Sequence, residues 1–169
     1  MEVSEAIRKR RSIRRYKAGA VIPREHFEKI LEAAMMAPSA CNTRPWEFYV
    51  VTNRETLARL QQVMPYASML STASAAIVVY GLPQVQSGIS DGFWVVDCGA
   101  CTENILLEAA GLGYGTCWCG VYPKEKNIEG ICSVLGTKGV PYSLIAIGVP
   151  DEEPVARGKY EEAKAHFIE

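Results

Sequence analysis

The chain has 169 residues, 49% hydrophobic and 22% charged, with a formal net charge of −1, which suits one domain spanning 1–169 with its own core. Eighteen Lys plus Arg against 19 Asp plus Glu exclude a chain built throughout for nucleic acid or a membrane surface. Charges fill the start, where an export signal needs an apolar run, so the expected compartment is the cytoplasm, with six reduced cysteines.

Residues 3–10 predict a short helix with Val3, Ala6 and Ile7 on its apolar side. Arg8, Lys9, Arg10, Arg11, Arg14, Arg15 and Lys17 then follow with no acid among them, so the chain's charge is segregated. Arginine forks interleaved with Ser12 suit phosphate oxygens. A solvated basic helix end and a nucleic-acid-binding arm are the other readings of this window.

Helical spacing of Phe27, Ile30, Leu31, Ala34 and Met35 predicts an amphipathic helix over 23–37, opened by Pro23 and stopped by Pro38. Residues 38–46, PSACNTRPW, then predict an ordered irregular loop. Two prolines stiffen it, and Ser39, Asn42 and Arg44 supply hydrogen-bonding side chains that a bare turn does not need.

A strand is expected over 47–52, a helix capped by Asn53 over 54–64, an irregular piece over 65–74 and a buried strand over 75–80. Residues 81–92 form a loop. The run 93–115 predicts a long helix, apolar nearly all round, with Asp97, Asn104 and Glu108 on one narrow polar stripe. These acids and Asn104 interrupt it too often for a membrane span. It reads as a buried core helix against which other elements, and a second subunit, would pack.

Gly111, Gly113 and Gly115 imitate a dinucleotide-binding fingerprint, but Thr116 stands where a third spaced glycine is needed. The glycines also close a helix rather than open one. A strand is expected over 116–122, a helix over 123–136, a buried strand over 141–149 and a charged tail over 150–169. Cys98 and Cys101 lie inside the central helix and Cys117 and Cys119 share a strand face. Small packing residues account for them better than a metal site or a disulfide. His26 and His166 read as structural.

The element order α, α, β, α, β, α, β, α, β predicts an α+β or α/β sheet with helices on its faces. Three segments, taken in order, resemble the nitroreductase family: Arg10-Arg11-Ser12-Ile13-Arg14, Pro38 through Trp46, and the long helix leading to Gly111-Leu112-Gly113 and Cys117-Trp118-Cys119-Gly120. The tail stretch Arg157-Gly158-Lys159-Tyr160 is similar to that family's basic C-terminal segment. The resemblance implies an α+β, α/β sandwich-like fold with a mixed central sheet and the long helix at a homodimer interface. It also implies flavin mononucleotide (FMN) as cofactor and NADH or NADPH as hydride donor. A small-molecule electron acceptor such as a nitroaromatic or quinone would follow in a ping-pong cycle, with no nucleic acid or membrane partner.

By the same resemblance, Arg10, Ser12 and Arg14 would hold the phosphate and ribityl chain, and Arg11 the pyrimidine side of the ring. Arg157 and Lys159 would add charge at the phosphate. Pro38, Ser39 and Asn42 would reach the flavin from the loop of the other subunit, and the Cys119-Gly120 backbone would lie near the flavin N5. No side chain is assigned as a catalytic acid, base or nucleophile. Arg44 stands where the family usually has Gln, and Cys119 where Ile is common, placing a cation near the substrate mouth and a thiol near the ring. A flavin-dependent dehalogenase or other specialised reductase of the same family, and a non-catalytic FMN-binding protein, are the alternatives.

Overall fold

The computed structural model describes residues 2–155 and 158–168. Strand β1 (Trp46–Val51) is followed by helix α3 (Arg54–Val63), β2 (Ala75–Gly81), α4 (Trp94–Gly111), β3 (Gly115–Gly120), α5 (Glu125–Leu135) and β4 (Val140–Gly148). Helices α1 (Val3–Lys9) and α2 (Arg24–Met35) precede them. The strands form one sheet in the order β1-β2-β4-β3. Every pairing in it is antiparallel. The parallel pairing of the expected mixed sheet is confined, among the described residues, to the isolated bridge Ser12–Thr116.

The α+β layering follows from the strand sequences. Strands β2 and β4 show no polar alternation because helices cover both of their faces. Ala76, Val78, Tyr80, Leu144 and Ala146 pack with Leu57, Leu60 and Ile131 of α3 and α5. The alternate residues Ala75, Ile77, Val79, Ile145 and Ile147 pack with Phe27, Ile30, Ile105 and Ala109 of α2 and α4. Each fully buried aliphatic side chain contributes about 1.5–3 kcal/mol by leaving water.

Local signals place the helix ends. Asn53 accepts the Thr56 N–H at 2.9 Å and caps α3. Gly136, with φ 65°, ends α5 in the left-handed conformation. Pro23 occupies the cap position of α2 rather than its first turn, and Lys124, not Pro123, precedes α5. Both shifts lie within the spread expected of helix boundaries.

Helix α4 departs from the sequence expectation in two respects. It stops at Gly111, and the turn to β3 uses Gly113 at φ 85°. The stripe Asp97, Asn104, Glu108 does not face water as a unit. Asp97 is buried, and Asn104 donates from Nδ2 to the Ala33 carbonyl at 2.9 Å. At the start of α4 the open surface is apolar, with Val96 67% exposed and Phe93, just before the helix, 50% exposed.

Candidate functional site

Only Arg8 and Lys9 of the cationic window lie at a helix end. Helix α1 stops at Lys9, and from Arg10 the chain runs extended along the outer edge of β3. Ile13 and Tyr16 are its anchors. The Ile13 N–H donates to the Thr116 carbonyl at 2.8 Å. The Ile13 side chain lies so close to Gly115 that a Cβ there would meet it at 2.8 Å. The Tyr16 hydroxyl lies within hydrogen-bond distance of the carbonyls of Ile13 (2.7 Å) and Ala146 (3.2 Å), and burial pushes its ionisation well above the ordinary range. With these two side chains directed inward, Arg14 and Arg15 between them and Ser12 just before them are exposed.

Arg10, Arg11, Ser12 and Arg14 line a cavity of about 520 Å³ closed by Glu152, Pro154, Val155 and Gly158. A second cavity of about 540 Å³ lies on the other side of Arg10 and Arg11, floored by Tyr114, Gly115 and Thr116. Arg10 pairs with Glu103 at 3.3 Å and Arg15 with Glu152 at 3.5 Å. Arg8, Arg11, Arg14 and Lys17 have no ion-pair partner among the described residues. The basic edge therefore keeps uncompensated charge. Glu152, absent from the sequence reading, accepts the backbone N–H groups of both Arg14 (2.5 Å) and Arg15 (3.2 Å). These bonds, that to Arg14 foremost, hold its carboxyl below the usual carboxylate range. An acid directly after a buried strand was the only signal for it. Lys159 is exposed and follows Gly158 of the cavity wall; Arg157 lies outside the described residues.

Gly120 sits at the far end of the same edge. Val121 donates its N–H to Tyr142 of β4 at 3.1 Å, and the Thr116 carbonyl points outward to Ile13. Alternation along an antiparallel strand then turns the N–H of Gly120 outward, away from β4. Gly120 is exposed and a Cβ built there meets nothing within 4 Å. From Thr116 to Gly120 the edge runs roughly 13 Å, at about 3.3 Å per residue. Cys119 differs from its expectation. Its side chain is buried on the α3–α5 side, with Sγ 3.7 Å from the Tyr66 carbonyl, so its thiol does not reach this edge. Cys117, on the same face, is drawn below the ordinary thiol range, chiefly by its neighbour Cys119 and then by Arg14.

The loop of Pro38, Ser39, Asn42 and Arg44 lies elsewhere. It leads into β1, the opposite edge of the sheet, three strand spacings or roughly 14 Å from β3. It is held to α4 at Asp97, whereas the basic segment meets that helix at Glu103 through Arg10 and at Ala110 in the second cavity, roughly 9 and 20 Å further along at about 1.5 Å per residue. Cys41, Asn42 and Arg44 have φ of 51°, 55° and 49°, a conformation costing on the order of 1–2 kcal/mol for a residue with a Cβ, less for Asn. The Ser39 hydroxyl accepts the Arg44 N–H at 3.0 Å, and Arg44 Nε donates to Asn42 Oδ1 at 3.1 Å. One chain thus gathers Arg10, Arg11, Ser12, Arg14 and Gly120 on one edge and presents the loop residues at the other.

His26 meets the Tyr114 hydroxyl at 2.7 Å. No group of three or more His, Cys, Asp or Glu among the described residues is placed to hold a metal, and none of the helices among them is long and apolar enough to cross a membrane.

The model of the nitroreductase family matches residues 7–65 and 65–149. A protein of Methanothermobacter thermautotrophicus, provisionally named an NADH dehydrogenase/NAD(P)H nitroreductase, is 44% identical over 169 residues, covering 99% of this chain and 87% of its own length. The structure of an FMN-dependent nitroreductase from Clostridium difficile superposes with a TM-score of 0.87 at 31% identity, over 97% of this chain and 98% of that one. A Desulfovibrio desulfuricans relative, provisionally named a nitroreductase and solved in complex with FMN, superposes with a TM-score of 0.84 at 25% identity, over 100% of this chain and 98% of that one.

Proposed function

The chain belongs to the nitroreductase family, and from that premise we propose that it is an FMN-dependent oxidoreductase. It would take reducing equivalents from NADH or NADPH and pass them to a small electron acceptor such as a nitroaromatic or a quinone. The observation that carries the reading is the β3 edge, where unpaired arginines beside a cavity lead to the outward N–H of Gly120. Relatives whose names include FMN or NAD(P)H support it.

The donor set fits FMN. A phosphate of nearly two negative charges suits the forks of Arg10 and Arg14 with the Ser12 hydroxyl; Arg14 has no acid paired to its guanidinium among the described residues, and Arg10 would share its fork with Glu103. Arg11 would serve the pyrimidine side of the ring, and Lys159 and Arg157 would add cations from the tail. The Gly120 N–H is a donor that no side chain shields, and it would fix the ring's reactive edge and tune its electronics. When bound, FMN supplies the two-electron chemistry. The protein's part is to hold it, align each substrate and bind developing charge, so no residue is assigned as a catalytic acid or base.

The separation of the two half-sites supports a homodimer. Pro38, Ser39 and Asn42 lead into β1, the sheet edge opposite the β3 edge beside which Ser12 runs. A second copy packed about a two-fold axis through the open face of α4 would bring its loop to the first copy's β3 edge. Exposed Phe93 and Val96 offer the apolar surface for that contact, and exposed Phe167 and Ile168 favour a tail that crosses to the partner. Arg44, on the same loop, would stand at the substrate mouth.

The visible spectrum of the freshly purified protein, with the released cofactor weighed by mass, tests the proposal. About one FMN per chain and quinone-dependent NAD(P)H oxidation above that of free FMN are expected. A colourless protein that takes up no added FMN overturns the cofactor assignment, and a loaded protein without such oxidation leaves a flavin carrier.

A further inference from the structure

Asp97 is 6% exposed, yet no cation is among its hydrogen-bond partners. Both carboxylate oxygens lie 3.2 Å from the Ala40 N–H, and Oδ2 accepts from Gln86 Nε2 at 2.8 Å. Gln86 is equally buried. Its Nε2 also lies 3.0 Å from the Thr43 hydroxyl, and its Oε1 accepts the Trp94 N–H at the start of α4 at 2.6 Å. Thr43 in turn donates to the Ala40 carbonyl at 2.9 Å. No buried side-chain polar atom among the described residues lacks a partner.

Burial of an acid and an amide is unfavourable unless every polar atom is paired. Here the pairing is made with the first and last residues of the turn Ala40–Thr43. Inside and just after that turn lie the left-handed residues Cys41, Asn42 and Arg44, a conformation that persists only where the surroundings over-determine it. Asp97 sits in the first turn of α4, whose positive end favours a carboxylate without a cation. The helix, the 81–92 segment and the loop therefore meet at two side chains.

We propose that Asp97 and Gln86 form a buried clamp that sets the shape of the 39–44 loop, and that they are positioning residues for the flavin and acceptor contacts of Ser39, Asn42 and Arg44. The proposal rests on the reading that this loop reaches the flavin of the partner subunit. Neither residue touches cofactor or substrate; each acts through the loop backbone.

Gln86→Leu, Asp97→Asn and the double variant are compared with the wild-type holoenzyme well below their melting temperatures. The readouts are FMN Kd, kcat and KM for a quinone, and hydrogen exchange at the Ala40 amide. Loss of a paired buried group leads to an expected rise of about tenfold in FMN Kd or quinone KM, with a smaller change in kcat. Ala40 exchange should speed up by a similar factor, and the double variant should lose little more than the worse single one because the pair acts as a unit. Folded Gln86→Leu protein with wild-type FMN Kd, quinone KM and Ala40 exchange overturns the clamp, and this variant carries the test if Asp97→Asn does not fold. If wild-type protein binds no FMN, the flavin reading is what fails. Ala40 exchange then decides the clamp alone, unchanged exchange in Gln86→Leu counting against it.

Discussion

Arg14 and Glu152 are separated by 138 positions in sequence, and the Arg14 backbone N–H donates to Glu152 Oε1 at 2.5 Å. The same oxygen accepts from Arg15, and the Asp151 N–H donates to the Arg15 carbonyl at 2.9 Å. The stretch after β4 thereby grips the basic segment by its backbone, leaving the Arg14 guanidinium to the cavity.

That grip is pH-dependent with a definite sign. The hydrogen bonds hold the Glu152 carboxyl below its ordinary value of 4.5. A group whose ionisation is depressed by folding adds stability above the ordinary value, and that stability is lost as pH falls through the folded one. The wild type should therefore lose melting temperature as pH falls below about 4.5 more steeply than Glu152→Gln. Superimposable melting-temperature profiles for the two proteins would assign the acid loss to other carboxylates.

Arg10→Ala and Arg14→Ala should each weaken FMN binding by about ten- to a hundredfold, as expected for removing a charge-assisted phosphate contact. The fold should survive, because Ile13 and Tyr16, not the arginines, anchor the segment. Flavin absorbance per chain after exhaustive dialysis, with far-ultraviolet circular dichroism as the control, measures both. Full flavin occupancy in both variants would remove the phosphate from this edge.

Two glycines of β3 separate folding from binding. At Gly115 a Cβ would meet Ile13 Cβ, Cγ1 and Cγ2 at 2.8 Å, and neither the β-branched side chain nor the strand can retreat. Gly115→Ala should cost about 1–3 kcal/mol of stability and loosen the basic segment with it. At Gly120 a Cβ meets nothing within 4 Å, so Gly120→Ala should melt as the wild type does while weakening FMN binding. Calorimetry and FMN titration of both variants check the contrast; equal melting temperatures for the two would contradict it.

The elements were legible where one residue class decides them. Apolar runs mark β2 and β4, spaced Leu57 and Leu60 mark α3, and paired prolines bound the loop. Strand order was not, since a run covered on both faces carries no record of its neighbours. Asp97 shows the limit most plainly. Helical angle groups it with Asn104 and Glu108, yet only the tertiary fold reveals that its carboxylate faces Ala40 and Gln86 rather than water. The Cys119 thiol, expected beside the ring, lies on the α3–α5 face because strand parity turns the side chain inward. Gln86 and Glu152 lie in a turn-rich loop and an acidic tail, where polar residues are ordinary and position alone gives them meaning.

Arg44 is held by its backbone to Ser39 and by Nε to Asn42, which leaves its terminal nitrogens for a ligand. A guanidinium fixed in that way loses little freedom on meeting a carboxylate. At the substrate mouth proposed above, it should favour acceptors that carry one. Arg44→Gln keeps a donor of similar reach and removes the charge. The preference in kcat/KM for a nitrobenzoate over nitrobenzene should then fall by about three- to tenfold, in proportion to one partly solvated charge contact. FMN Kd should stay unchanged, because the charge lost is aimed at the acceptor. An unaltered preference would place the Arg44 guanidinium away from the acceptor, and a weakened FMN Kd would place it on the cofactor.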